Sequence, residues 1–137
     1  MRPILGSLAF ILLAVCTSLA LDSRTVEYTN IPAETAWQVA IRAVPQLHEA
    51  HIANRTRGAD YRIEFIVMHR GVPARQVRVN VVVAQVAAQS VRVSVNPNRA
   101  FGAKLPTQSE WDDLVQEYLS IIDREFLASG AKRVAAP

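Results

Sequence analysis

The stretch Tyr61–Asn96, YRIEFIVMHRGVPARQVRVNVVVAQVAAQSVRVSVN, decides the fold. Ile63, Phe65 and Val67 alternate with Arg62, Glu64, Ile66 and Met68. Val77, Val79, Val81 and Val83 alternate with Arg78, Asn80, Val82 and Ala84. Val91, Val93 and Val95 alternate with Arg92, Ser94 and Asn96. Successive side chains of a strand face opposite sides, so a period of two marks one buried and one solvated face. Val and Ile also suit a pleated surface. Gly71 and Pro73 punctuate the first link. The second, near Ala87–Gln89, has neither Gly nor Asn, and its turn type stays open. The pattern predicts a three-strand antiparallel meander with one apolar face that needs a cover.

That cover is sought downstream. Asn96–Pro106 reads as a loop, and Phe101 within it as a residue folded over the core edge, with a partner anchor as the alternative. Thr107 and Glu110 have capping-box spacing, and Asp112 and Asp113 suit the first turn. Trp111, Leu114, Val115, Tyr118, Leu119, Ile122 and Phe126 then form one apolar stripe at helical spacing. Gly130 is a stop signal. This helix, about 30 Å long, reaches across the meander.

Upstream, Thr25–Tyr28 predicts a first strand. Pro32 and Glu34 then suit a helix start. Trp37, Ala40, Ile41 and Val44 follow at helical spacing, with Trp37 as core anchor, until Pro45 disturbs or ends the helix. Glu49–Thr56 is a further candidate strand. The expected fold class is α+β: an antiparallel sheet of about four to five strands, a shorter helix after the first strand, and the long C-terminal helix across one face.

The chain has 137 residues, 50% hydrophobic and 7% aromatic, which suits one globular domain and argues against disorder. Its formal charge of +3 is too small and too dispersed to predict a nucleic-acid partner. Residues 1–20 read as an export signal: Arg2, then the apolar run Ile4–Val15, then Ser18-Leu19-Ala20 as a cleavage site. The expected organisation is signal peptide 1–20, one domain 21–128 and a flexible tail 129–137. Cleavage after Ala20 puts the protein in the periplasm. A second reading takes Leu13-Ala14-Val15-Cys16 as a lipobox, with Cys16 lipidated and the protein anchored to a membrane; Val15 departs from that pattern. A third leaves Ile4–Leu21 as an uncleaved anchor. Cys16 is the only cysteine, so a chain cleaved after Ala20 has no disulfide, no thiol nucleophile and no thiolate metal site.

The order of elements, with Ile31-Pro32-Ala33-Glu34-Thr35-Ala36-Trp37, the Val-rich strands and the Trp111–Phe126 stripe, resembles the helix-grip arrangement of START-like domains. It is more similar still to the compact domains of the lipoprotein C subunit of the bacterial outer-membrane β-barrel assembly machine. The resemblance covers most of the mature chain as a pattern, without a signature motif. It implies binding of proteins or apolar ligands, and it brings no catalytic motif with it.

Nucleotide-binding, zinc-protease and serine-hydrolase motifs are absent from the sequence. His48, Glu49, His51 and His69 match no established metal spacing and read as polar residues at an element boundary. No cofactor and no metal are expected. The informative feature is the polar side of the meander: Arg62, Glu64, Ile66, Met68, Arg78, Val82 and Arg92. With centred links, Arg62, Ala84 and Arg92 share one cross-strand row, and Glu64, Val82 and Ser94 the next. Glu64 then bridges both arginines diagonally. The plainer reading is a solvated face with rim ion pairs; the sharper is a contact surface, apolar residues rimmed by arginine. The expected function is a non-enzymatic, exported envelope protein that binds another envelope protein or itself. The alternative is a carrier of a small apolar ligand held between the long helix and the sheet.

Overall fold

The computed structural model describes residues 21–68, 76–98 and 105–134. The expected leader with Cys16, His69, the link residues Arg70–Ala74 and Phe101 lie outside the described residues. The chain runs β1 (Arg24–Thr29), α1 (Ala33–Ala43), a 3₁₀ turn (Val44–Gln46), β2 (Ala50–Arg57), β3 (Tyr61–Met68), β4 (Gln76–Ala87), β5 (Ser90–Pro97), α2 (Gln108–Ala128) and β6 (Lys132–Arg133). The strands form one six-stranded antiparallel sheet in the order β2-β3-β4-β5-β1-β6. The fold is α+β, with a helix after the first strand and a long C-terminal helix packed on the sheet.

The period-two alternation sorts as the sequence predicts. Ile63, Phe65, Val77, Val79, Val81, Val83, Val91, Val93 and Val95 are all buried on one face. The β4–β5 turn needs no glycine. Its Gln89 carbonyl accepts the N–H of Ile31, at 3.3 Å, from the segment entering α1.

Two helices share the cover. α1 lies against β3, β4 and β5, and α2 lies against α1. Trp37 is buried, and its indole N–H donates to the Arg62 carbonyl at 3.2 Å. Arg57 lies over the Trp37 ring, 5.2 Å from its centroid, and pairs with Glu34. α1 stops at Ala43, two residues before Pro45, because proline has no N–H and its ring clashes with the preceding turn.

The predicted capping box is present: Thr107 accepts from the Glu110 N–H at 3.2 Å, and Glu110 accepts from the Thr107 N–H at 3.0 Å. The buried face of α2 is Trp111, Val115, Tyr118, Ile121, Ile122 and Phe126. Leu114 and Leu119, expected as members of the stripe, are half-buried at its margin. Serving both α1 and the sheet widens the buried face to include Ile121. Tyr118 donates its hydroxyl to the Ala40 carbonyl at 3.0 Å, and its ring lies 5.0 Å from that of Phe65. Phe126 stacks on Tyr28 at 4.3 Å.

Past α2, residues 129–134 form a helix stop and a short strand, and residues 135–137 of the expected tail lie outside the described residues. Gly130 takes φ +89°, Ala131 N–H bonds to Phe126 O at 3.0 Å, and Gly130 N–H bonds to Leu127 O at 3.1 Å, which is a Schellman stop. Ala131 is buried, and Lys132 and Arg133 then pair with Thr29 and Tyr28. A strand this short and this polar has no hydrophobic pattern by which a sequence would show it.

Candidate functional site

The face of the sheet turned away from both helices carries the predicted residues, and its rows follow from the strand register. Arg62 stands opposite Val82, and Val82 opposite Ser94. Glu64 stands opposite Asn80, and Asn80 opposite Asn96. Ala84 stands opposite Arg92, and Arg92 opposite Glu27 on β1. The expected β4–β5 partners are therefore correct, while β3 is displaced by two residues from the expected rows. A shift of two leaves every side chain on its expected face, where a shift of one would have exchanged the faces.

The displacement changes the ion pairs. Glu64 does not bridge Arg62 and Arg92. It accepts from Arg78 at 3.0 Å and from the Asn98 amide at 3.4 Å. Arg92 is held by Glu27, at 2.9 Å from Nε and 2.8 Å from Nη2. Glu27 is not visible from the alternation of the three meander strands, because β1 joins the sheet beside β5. Arg62 is exposed and has no ion pair among the described residues.

The apolar members of the set behave differently from one another. Val82 is half-buried, as is Met68. Ile66, expected as part of an exposed apolar patch, is 9% exposed. Its cross-strand neighbours are His51 and Arg78. Arg78 reaches diagonally to Glu64, which lays its stem beside Ile66, and arginine stems cover apolar neighbours in this way. Ile66 is thus support beneath the face rather than part of its surface.

The centre of the face is lined with amides and hydroxyls. A depression of about 230 Å³ is bordered by Asn54, Thr56, Arg62, Glu64, Asn80 and Val82. The shift in pairing between Ile52 and Asn54 brings Asn54 opposite Glu64 and Thr56 opposite Arg62. Asn96 donates to the Asn80 carbonyl at 3.4 Å. Asn98, at the end of β5, is 8% exposed, and its N–H donates to Arg78 O at 3.1 Å. Asn98 falls in the segment expected as a loop, and its burial beside Glu64 has no signal in the alternation. Among the described residues, this arrangement offers hydrogen bonds, a guanidinium without an ion pair at Arg62 and a modest apolar surface.

The strongest electrostatic perturbations lie on the other side of the sheet. Burial pushes the Tyr118 phenol well above its ordinary range. Burial, and then the hydrogen bond to Asp123 at 2.9 Å, do the same for Tyr28. Both hydroxyls are structural donors that stay protonated. His48 lies 3.8 Å from the Glu49 carboxylate at the entrance to β2, and His51 is exposed on β2.

No family model matches the sequence, and no curated protein matches it. Among solved structures, the chain is similar to the protein TTHA0849 of Thermus thermophilus, with 12% identity and a TM-score of 0.34; the match covers 79% of this chain and 99% of that one.

Proposed function

We propose that this is an exported envelope protein that binds a protein partner through the open face of its sheet and catalyses no reaction. The observation that carries the reading is Arg62: an exposed guanidinium with no carboxylate partner among the described residues, beside half-buried Val82, on a face where Arg78 and Arg92 are already paired. Apolar surface rimmed by arginine favours a protein contact. The uncompensated charge favours a partner that presents an Asp or Glu opposite Arg62, which a desolvated contact would strengthen. The helix-grip resemblance is compatible with this reading and with the carrier alternative alike, because such domains bind proteins or apolar ligands. The carrier alternative needs room between the long helix and the sheet. Tyr118 against Phe65 and Phe126 against Tyr28 fill the centre of that interface with rings 5.0 and 4.3 Å apart, and the groove of about 700 Å³ at its edge carries Arg24, Asp112, Asp123, Arg124 and Arg133, a charged lining that suits an apolar ligand poorly.

Export rests on the Arg2, Ile4–Val15 and Ser18–Ala20 pattern. Peptide mapping from the native host should find Leu21 at the N-terminus. A lipid-modified Cys16 would substitute the membrane-anchored reading, and an intact Met1–Ala20 segment on a cytosolic protein would overturn export. Binding is tested by capture from the native envelope with wild type and Arg62→Glu. Loss of the captured partner in a variant with unchanged circular dichroism supports the reading; retention removes Arg62 from it.

A further inference from the structure

The polar side chains of the open face divide into two sets. One set spends its hydrogen bonds within the protein. Arg92 is bonded to Glu27, and Glu64 gives one oxygen to Arg78 at 3.0 Å and the other to the Asn98 amide at 3.4 Å. The other set does not. The side chains of Asn54, Thr56, Arg62 and Asn80 make no hydrogen bond or ion pair among the described residues. Register draws these four together. Thr56 stands opposite Arg62, and one row along Asn54 and Asn80 stand on either side of Glu64. All four border the depression of about 230 Å³, with half-buried Val82 at its side.

Size and charge narrow what fits. Pockets for whole small molecules begin at about 300 Å³. This one is smaller, with room for one side chain and a few waters. Its free groups are one guanidinium, the amides of Asn54 and Asn80 and the hydroxyl of Thr56. A guanidinium fork matches a planar carboxylate through two parallel N–H···O bonds. The amides and the hydroxyl donate to the remaining lone pairs without adding charge. One cation balances one negative charge, and Glu64 beside the site opposes a second, which favours a carboxylate over a phosphate. Val82 offers an apolar wall to the methylene stem of an acidic side chain.

Glu64 is itself a competitor for Arg62. It stands two residues along the same face of β3, about 7 Å away by the rise of a strand and within reach of a long side chain. Arg78, opposite Ile66 in the next row, and Asn98 hold both of its oxygens away from Arg62. We propose that the depression seats one Asp or Glu side chain of the protein partner. Arg62 is the counter-ion, Asn54, Thr56 and Asn80 are neutral donors, and Arg78 is a positioning residue that keeps Glu64 off Arg62. Resting on the open-face reading, the site adds to it the partner group recognised and the residues that recognise it.

NMR titration of the protein with N-acetyl-glutamate N-methylamide, its glutamine counterpart and inorganic phosphate tests this. The glutamate probe should bind with a Kd on the order of 1–10 mM and shift the Arg62 Nε–H and the side-chain amide signals of Asn54 and Asn80. The glutamine probe should shift none of them, and phosphate should bind more weakly. Arg62→Gln should abolish the response. Arg78→Ala should weaken the glutamate probe by roughly two- to fivefold, the size of an exposed ion pair, because Glu64 then turns to Arg62. Glu64→Gln in the Arg78→Ala chain should restore binding, which the repair of a merely structural contact would not do. The Val93 amide in β5 reports folding; should Arg78→Ala disturb it, the probe selectivity and Arg62→Gln decide. No shift of the three signals at about 50 mM glutamate probe, an equal response to the glutamine probe, or phosphate binding as tight as glutamate overturns the site. Weakening by Arg78→Ala that Glu64→Gln leaves in place overturns the role of Arg78. Partner capture lost in Arg62→Glu with no probe response removes only the carboxylate site, whereas a probe response with capture retained removes the open-face reading.

Discussion

Arg62 and Val82 stand directly opposite each other on the open face of the sheet, while Val83, one residue along the same strand, faces the helices and is fully buried. Neighbouring valines thus divide scaffold from surface. Val83→Glu puts a carboxylate into a core with no partner for it, and should unfold the domain or weaken it severely. Val82→Glu keeps its charge in water and should change stability by less than about 1 kcal/mol. Urea titrations of the two variants check this, and the reverse order would mean that the faces are exchanged.

The phase of α2 makes a second prediction. Ile122 is fully buried, Leu119 is half-buried and Glu117 is exposed. Ile122→Ala should cost on the order of 2–5 kcal/mol, because it opens a cavity that the surrounding rings only partly refill. Leu119→Ala should cost clearly less, and Glu117→Ala about 0.5 kcal/mol or less. Denaturant midpoints that rank Leu119→Ala above Ile122→Ala would place the helix in a different rotation.

Much of this was legible in the sequence because the buried side of β3, β4 and β5 is written in β-branched residues at a strict period. The capping box of α2 and its glycine stop were legible for the same kind of reason: each answers a local backbone need with a specific side chain. Register was not. The ladder pairs Met68 with Gln76, and nothing in the link between them says where its centre lies. That ambiguity moved Glu64 from Val82 to Asn80 and gave it Arg78 as its partner. The Glu27–Arg92 pair was invisible because β1 joins β5 across 65 residues of sequence. The burial of Ile66 depends on where the Arg78 side chain goes, which follows from the ion pair and not from the alternation.

The cap of α2 gives a third prediction. Thr107→Ala removes the acceptor of the Glu110 N–H and half of a reciprocal pair. It should cost about 0.5–2 kcal/mol, and Thr107→Ser should restore most of that. Thermal unfolding of the two variants measures it. Equal loss in both would mean that the methyl group, not the hydroxyl, matters at this position.

A fourth concerns alkaline pH. Tyr118 is fully buried, and burial raises its pKa in the folded state. In the unfolded chain the phenol ionises near ~10. Its contribution is therefore fully present below about pH 10 and is lost as the pH rises from there toward the folded value, since the unfolded chain gives up a proton that the folded one keeps. The urea midpoint should fall between about pH 9 and pH 11. Tyr118→Phe should be less stable at neutral pH, with the Ala40 carbonyl left without its donor, yet show a shallower fall. An unchanged slope would assign the alkaline loss to other groups.

Site-specific photocrosslinking in the native envelope tests the open face as the binding surface most directly. A photoreactive residue in place of Val82 should yield one defined adduct with a partner protein, and Arg62→Glu in the same chain should abolish it. The same residue in place of Glu117, exposed on α2, should yield none. An adduct at position 117 with none at 82, or an adduct at 82 that survives Arg62→Glu undiminished, would contradict binding through this face.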